Sequence, residues 1–183
     1  MGTVFQDSAP LGRFVHTLAK WTAVAGGIVM IATVIMVVVS IGGRALLWAG
    51  LRPIIGDYEL VSAGMGFAVF AFMPWAHLMR GHALVALVTD NFGARANGWI
   101  LVITDLMMLV ASGFIAWRLY FGTMDKFVYG ETTLLLRMPL GWAYAAGLVG
   151  AVIWVIVSVY VLGRSISNLI SGRTEAPSAG AHT

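Results

Sequence analysis

Four stretches of twenty or more residues, each with at most one charged side chain, constrain what this chain can fold into. They cover residues 21–43, 60–79, 96–117 and 138–163. Twenty residues at a rise of about 1.5 Å each span about 30 Å, the thickness of the hydrocarbon core of a bilayer. Because a backbone in lipid must satisfy its own hydrogen bonds, each stretch predicts a transmembrane α-helix.

The composition excludes an ordinary soluble domain. Hydrophobic residues make up 60% of the 183-residue chain and charged residues only 10%, against about 25% charged in soluble domains. The absence of cysteine excludes disulfides, thiolate metal sites, iron–sulfur clusters and cysteine nucleophiles. The formal charge is +3, but the eleven basic residues are scattered between apolar stretches, so no nucleic-acid partner is expected. We predict an all-α integral membrane protein.

Two further segments predict amphipathic helices in the membrane plane. Residues 81–95 are too apolar for a free loop, and about fifteen residues are too short to cross a bilayer. Their apolar residues share one helical face: Leu84, Leu87, Val88 and Phe92. Residues 1–20 form an N-terminal interfacial segment with the same pattern at Leu11, Phe14, Val15, Leu18 and Ala19. Residues 164–183 predict a flexible tail after a membrane domain of residues 21–163.

Small residues spaced four apart predict where these helices pack closely on another helix, in this chain or in a partner, because they let two backbones approach. Three such sets occur, one each in the first, second and fourth stretches: Ala23 with Gly27, Ser62 with Gly66, and Ala143 with Gly147 and Ala151.

Neither catalysis nor haem binding has a convincing residue set. HExxH, P-loop, GxSxG and paired-carboxylate motifs are absent from the sequence, so no enzyme, catalytic residue or metal site is predicted. A b-type haem would need two histidines at membrane depth on different helices. The chain offers His16, His77, His82 and His182. No two of them lie well inside two different spans, so we interpret them as interfacial histidines with polar neighbours, and no cofactor is expected.

Asp105 is the one acidic residue inside a predicted span. An acid in lipid costs at least about 2.5 kcal/mol, so it is a functional candidate by default. No second charged residue lies within a span to complete a proton relay. We favour an Asp105 that faces protein, protonated or hydrogen-bonded to another helix, over one that transports an ion.

Transport by this chain alone is not expected. Solute transporters bind at the midplane through internal repeats and broken helices. The sequence shows no repeat, and Pro74 and Pro139 both lie near the ends of predicted spans. If the protein works in transport, a larger component makes the path.

Charge leaves the orientation open. Four spans place both termini on one side of the membrane. Lys and Arg number six in the termini and second connection and five in the first and third connections, which is too even for the positive-inside rule to decide.

Several short motifs, in order and spacing on four spans, resemble the small membrane subunit (Q component) of tripartite ATP-independent periplasmic, or TRAP, transporters. The first is Asp57-Tyr58-Glu59 before the second span, and the next is Gly81-His82 followed by Val85. The third runs from Gly130-Glu131-Thr132-Thr133 through Pro139 and Trp142. The resemblance covers roughly residues 11–164.

The resemblance implies a scaffold subunit of the bacterial inner membrane with both termini cytoplasmic. Its partners would be a large membrane subunit, a periplasmic substrate-binding protein and membrane lipids. The large subunit would carry sodium-coupled uptake of an organic acid. We expect the partner interface to include Arg44, Asp57, Glu59, His82, Asp105, Glu131 and Arg137. The alternatives are a haem b-bearing anchor of a respiratory enzyme and a helper subunit of another membrane complex.

Overall fold

The computed structural model describes residues 10–79, apart from 51 and 53, and residues 94–170. Four long helices account for most of them: α1 (Pro10–Ala45), α2 (Asp57–Leu78), α3 (Ala94–Val128) and α4 (Leu140–Ile170). Each is long and apolar enough to cross a bilayer. A short 3₁₀ turn, Leu47–Ala49, follows α1. The prediction of an all-α protein with four membrane spans is confirmed.

The helices extend beyond the predicted spans. α3 continues past Trp117 to Val128, and α4 continues past Gly163 to Ile170. Lys and Arg mark where a span leaves the hydrocarbon, but they are good helix formers and do not end the helix. In α3 the end comes just before Gly130, whose φ of +60° lies in the left-handed region.

Neither in-plane helix is confirmed. Residues 10–20 are helical, as the first turns of α1 rather than as a separate helix. Their apolar face is divided, since Leu11 and Phe14 are exposed while Val15 and Ala19 are buried against α2 and α4. Most of the predicted helix 81–95 lies outside the described residues, as do residues 1–9 and the tail beyond residue 170. These assignments stay predictions.

The four helices lie in a row, in the order α1, α2, α4, α3. α1 packs along α2, α2 along α4, and α4 along α3, with a lesser contact between α1 and α4. Within the described ranges, the backbones of α1 and α3 do not reach packing distance of each other. The bundle is therefore open, with α1 and α3 as its two edges.

α1 and α2 run antiparallel and meet through a seven-residue register. Going along α1, Gly26, Thr33 and Ser40 oppose Ala71, Gly64 and Asp57 respectively. A Cβ built on Gly26 would lie 2.7 Å from that of Ala71, and one on Gly64 would lie 2.6 Å from the Thr33 hydroxyl oxygen. Seven residues are close to two helical turns, so these residues share one face of each helix.

The predicted small-residue contacts are found within the chain only in part, and contact of the others with a partner helix stays a prediction. No described atom lies within 4 Å of a Cβ built on Gly27 or Gly66. The close approaches use Gly26 and Gly64 instead, because the contact follows the seven-residue seam. On α4 the prediction fares better, since Gly147 packs on Phe70 and Ala151 is fully buried.

Candidate functional site

A buried polar cluster joins α2, α3 and α4 through one side chain from each. His77, Asp105 and Ser165 are 2%, 6% and 5% exposed. His77 Nε2 lies 3.8 Å from one carboxylate oxygen of Asp105. The Ser165 hydroxyl donates a hydrogen bond to the other. These contacts hold the ends of three helices together in a region from which water is largely excluded.

Two residues of α4 complete the surroundings of the His77 ring. The Trp154 indole N–H donates to His77 Nδ1 at 3.3 Å, and the Ser158 hydroxyl lies 3.3 Å from the same nitrogen. An indole nitrogen can only donate, so His77 Nδ1 acts as an acceptor. In the neutral ring the proton is therefore on Nε2, the nitrogen that faces Asp105.

The cluster continues as a polar seam between α3 and α4. Asp105 and Ser112 lie seven residues apart on α3, and Ser158 and Ser165 lie seven apart on α4. The helices run antiparallel, so Asp105 meets Ser165 while Ser112 donates to Ser158 at 3.3 Å. Paired polar residues at a spacing of seven in two apolar stretches are a signal that the sequence contains and that sequence reasoning overlooked.

His77 has the polar neighbours that were expected, and its position at the membrane interface stays a prediction. The ring does not face outward: the inward face of α2 carries it into the protein, against Asp105. Asp105 faces protein and not lipid. Asp105 therefore has a titratable neighbour inside the protein, His77, which the count of charged residues in the spans did not include.

The cluster is built to join helices. Among the described residues, no group of three or more His, Asp or Glu side chains could hold a metal ion. Both ring nitrogens of His77 face protein groups, so ligation of a haem there would break these contacts. His16 packs edge-on against Trp75 at 5.2 Å between ring centroids. His82 and His182 lie outside the described residues.

A second polar link joins the end of α1 to the start of α2, at the end of the bundle opposite the His77–Asp105 cluster along the helix axes. The Ser40 hydroxyl, 1% exposed, donates to the Asp57 carboxylate at 2.6 Å. The Arg44 guanidinium lies 3.4 Å from the same carboxylate oxygen. Side chains near the end of α1 therefore contact the first residue of α2, and these contacts join the two ends of the connection between Ala45 and Asp57.

Glu59 fastens the third connection onto the start of α2. Its two carboxylate oxygens accept the backbone N–H groups of Leu135 and Leu136 at 2.7 and 2.9 Å. Gly56 lies beneath this contact with φ of +79°, and a Cβ there would be 2.5 Å from the Leu136 side chain. Two segments far apart in sequence therefore form one surface.

The connection itself, residues 131–139, is a folded loop. The Thr133 N–H donates to the Met138 carbonyl, and the Leu140 N–H donates to the Glu131 carbonyl, both at 2.9 Å. Glu131 also forms an ion pair with Lys126 at the end of α3. Arg137 takes a positive φ of 52°. We call this segment the 131–139 loop.

Most of the seven predicted interface residues lie at the end of the bundle that carries the 131–139 loop. Five of them form or flank the two links just described: Arg44, Asp57, Glu59, Glu131 and Arg137. Asp105 is separate, in the buried cluster. His82 lies outside the described residues.

These features define a multi-pass helical membrane protein whose described polar groups join its own helices. A family model described as "Tripartite ATP-independent periplasmic transporters, DctQ component" matches residues 33–168. The chain therefore belongs to the DctQ family, the small membrane component of TRAP transporters, which confirms the resemblance found in the sequence. This is a family of transporter components, not of enzymes. Searches of curated proteins and of solved structures give no significant match.

Proposed function

We propose that this chain is a scaffold subunit that braces the large membrane subunit of a TRAP transporter during uptake of an organic acid. Uptake is sodium-coupled and fed by a periplasmic binding protein. The chain lies in the bacterial inner membrane with both termini cytoplasmic. Family membership supports the class of transporter, and the open row of helices carries the bracing role.

The row favours bracing because its edges are broad and apolar. On α1 the exposed side chains include Ile28, Ile31, Ile35 and Val38. On α3 they include Ile103, Met107, Val110, Phe114 and Trp117. In lipid, helices associate through packing, and an open row offers two such surfaces to a partner helix.

The polar seam supports the same role from inside the row. Asp105 on α3 accepts a hydrogen bond from Ser165 on α4, and His77 on α2 lies 3.8 Å from its other carboxylate oxygen, so the cluster brings three helices together. A subunit that resists deformation needs fixed helix positions, and buried hydrogen bonds between helices supply them.

We assign the end of the bundle that carries the 131–139 loop, along the helix axes, as the face toward the binding protein. Its apolar side chains are unusually open for a folded surface: Trp48, Ile55, Tyr58, Tyr129 and Leu134 are 73–94% exposed. The aromatic side chains among them, Trp48, Tyr58 and Tyr129, are also of the type enriched at a membrane interface. The polar residues around them include Asp57, Glu59 and Arg137.

Co-purification tests the pairing. A tagged full-length chain is expected to bring down the large subunit from native membranes, and its deletion is expected to abolish uptake. A photo-reactive amino acid at Ile31 on α1 or Val110 on α3 identifies the edge that the large subunit covers. Recovery of a lone monomer, with uptake intact after deletion, contradicts the proposal.

Substitution of Leu134 tests whether the 131–139 loop faces the binding protein. Leu134→Glu places a charge on a side chain that is 94% exposed. It is expected to reduce uptake at limiting binding protein while co-purification of the large subunit stays unchanged. The matched control, Leu134→Met, keeps an apolar side chain. Equal uptake by both variants would argue against this face.

A further inference from the structure

The His77 ring lies against two side chains of α4 that can form opposite kinds of hydrogen bond with it. Its Nδ1 atom is 3.3 Å from the Trp154 indole nitrogen and 3.3 Å from the Ser158 hydroxyl oxygen. All three side chains are buried. A buried hydrogen bond is sensitive to whether each partner donates or accepts, so a proton on Nδ1 changes which of the two contacts is favourable.

Trp154 suits the neutral ring. An indole N–H donates and cannot accept, and a neutral imidazole with its proton on Nε2 has one lone pair on Nδ1 to receive it. Protonation of Nδ1 would direct two N–H groups at each other and remove this hydrogen bond. The contact with Trp154 therefore favours the neutral ring.

Ser158 suits the protonated ring. Its hydroxyl donates to the Trp154 carbonyl at 2.9 Å, so the hydrogen points away from His77. The serine oxygen has two lone pairs, and Ser112 donates toward it at 3.3 Å. The second lone pair can accept a hydrogen bond from a protonated Nδ1, which the indole cannot do.

The charge of a protonated ring also meets an opposite charge. His77 Nε2 lies 3.8 Å from a carboxylate oxygen of Asp105, on α3. A buried positive charge is tolerated where such a partner compensates it. The other titratable or charged side chains described near this end of α2 line a cavity bordered by Leu78: Arg13 and His16 from α1, and Tyr160 and Arg164 from α4.

We propose that His77 is a proton-binding site with a separate partner for each protonation state: Trp154 for the neutral ring and Ser158 for the protonated ring. One proton from solvent binds the Nδ1 lone pair, and no covalent bond breaks. Proton uptake exchanges one hydrogen bond to α4 for another and places a positive charge opposite Asp105. In the described ranges the backbones of α2 and α3 do not reach packing distance, so this charge acts between two separated helices. The site is independent of the transport assignment, because all its groups belong to this chain.

The test observes the ring nitrogens of His77 by NMR in the purified full-length chain, with its histidines labelled with nitrogen-15. The chain has four histidines, and the spectrum of His77→Gln identifies the signals of His77. The nitrogen shifts distinguish a neutral ring with its proton on Nε2 from a protonated ring. Variants are compared at the pH at which half of the wild-type His77 rings are protonated.

Ser158→Ala is expected to lower the ratio of protonated to neutral His77 about fivefold, as for loss of one hydrogen bond. Trp154→Phe is expected to raise that ratio about twofold, a smaller effect because the Ser158 hydroxyl can then turn and donate to the neutral ring. Both variants keep every charged group around the ring. The controls are Ser40→Ala, a buried serine at the opposite end of the bundle, and Trp142→Phe, an exposed indole of α4, and both are expected to leave the ratio unchanged.

Changes of opposite sign in Ser158→Ala and Trp154→Phe support the proposal. Changes of the same sign overturn it, because loosened packing around the ring would move both variants in one direction. An unchanged ratio in both variants also overturns it, as does a wild-type ring that takes up no second proton before the chain unfolds.

The wild type alone supplies a second measurement, which does not depend on whether a variant folds. With tryptophan labelled as well, the indole N–H signal of Trp154 is expected to shift along the same titration curve as the His77 ring, because the indole loses its acceptor. An indole signal that stays constant while His77 becomes protonated overturns the proposal.

Discussion

Single carboxylates in this protein act as ties between distant parts of the chain. Asp57 joins α1 to α2, Glu59 joins α2 to the 131–139 loop, and Asp105 joins α3 to α4 and faces His77 on α2. In each case the acid meets a donor from another element. The chain has only eight acidic residues, so each of these three is expected to have a distinct structural effect.

Asp105→Ala is expected to lower the free energy of unfolding by about 1–2 kcal/mol, because the Ser165 hydroxyl loses a buried acceptor and the His77 ring loses a polar neighbour 3.8 Å away. Asp105→Asn is expected to cost less, since the amide oxygen still accepts. Unfolding of the purified chain in detergent measures both. Thr104→Val is the control, because that hydroxyl donates within its own helix, to the Ile100 carbonyl. An Ala variant as stable as the control variant would contradict the role of Asp105.

Glu59→Ala is expected to speed hydrogen exchange at the amides of Leu135 and Leu136, which donate to this carboxylate. Glu59→Gln is expected to give an intermediate rate, because one amide oxygen can still accept. Exchange followed by mass spectrometry reads out these two positions directly. Tyr58→Phe is the control, since its ring is 77% exposed beside the same turn. Exchange rates that match the wild type in Glu59→Ala would show that the loop is held by other contacts.

Between elements, the seam of α1 and α2 is set by where small residues fall relative to the partner helix. Gly26 approaches Ala71 and Gly64 approaches Thr33 across the seam, while Cβ atoms built on Gly27 and Gly66 would meet no described atom within 4 Å. The adjacent Gly26 and Gly27 are thus in opposite environments, the first in the seam and the second on an outer face.

Gly26→Leu is expected to destabilise the chain by about 1–3 kcal/mol, because added atoms would meet Ala71 across the seam. Gly27→Leu is the matched control and is expected to leave the unfolding midpoint of the isolated chain nearly unchanged. Both are measured as thermal unfolding in detergent. A larger loss in Gly27→Leu than in Gly26→Leu would place the seam on the wrong face of α1.

Gly56 is constrained by its backbone conformation and by a close side chain, whereas Gly50 is constrained by its backbone conformation alone. Both have positive φ, 79° and 84°, which is unfavourable for alanine by about 1–2 kcal/mol. Only at Gly56 would a Cβ also meet the Leu136 side chain. Gly56→Ala is therefore expected to lower the unfolding midpoint more than Gly50→Ala and to loosen the 131–139 loop in hydrogen exchange. Equal losses would mean that Leu136 moves aside freely.

Across the whole molecule, the open row can be tested with paired cysteines, since the chain has none of its own. A Cβ built on Gly64 lies 3.7 Å from Thr33 Cβ, within the range of a disulfide, so Thr33→Cys with Gly64→Cys is expected to cross-link on mild oxidation. Val34→Cys with Val110→Cys, on the outer faces of α1 and α3, is expected not to cross-link within one chain. Efficient cross-linking of the second pair would indicate a closed bundle.

Sequence reasoning recovered the four spans because hydropathy alone determines them. It missed the helix ends, since charge at Arg118 or Arg164 ends the lipid-embedded part without ending the helix. It chose Gly27 over Gly26 because the spacing of four does not say which face meets a partner. It also missed His77, whose burial depends on the rotation of α2 about its axis, a property that packing decides.

The separation of α1 from α3 has a consequence for how this protein can change. Groups more than about 7–10 Å apart with no shared neighbour contribute to stability independently. Substitutions on the outer face of α1 and on that of α3 should therefore be additive, in stability and in whatever each face binds. One edge of the protein can then diverge to suit a new neighbour while the other keeps its old one.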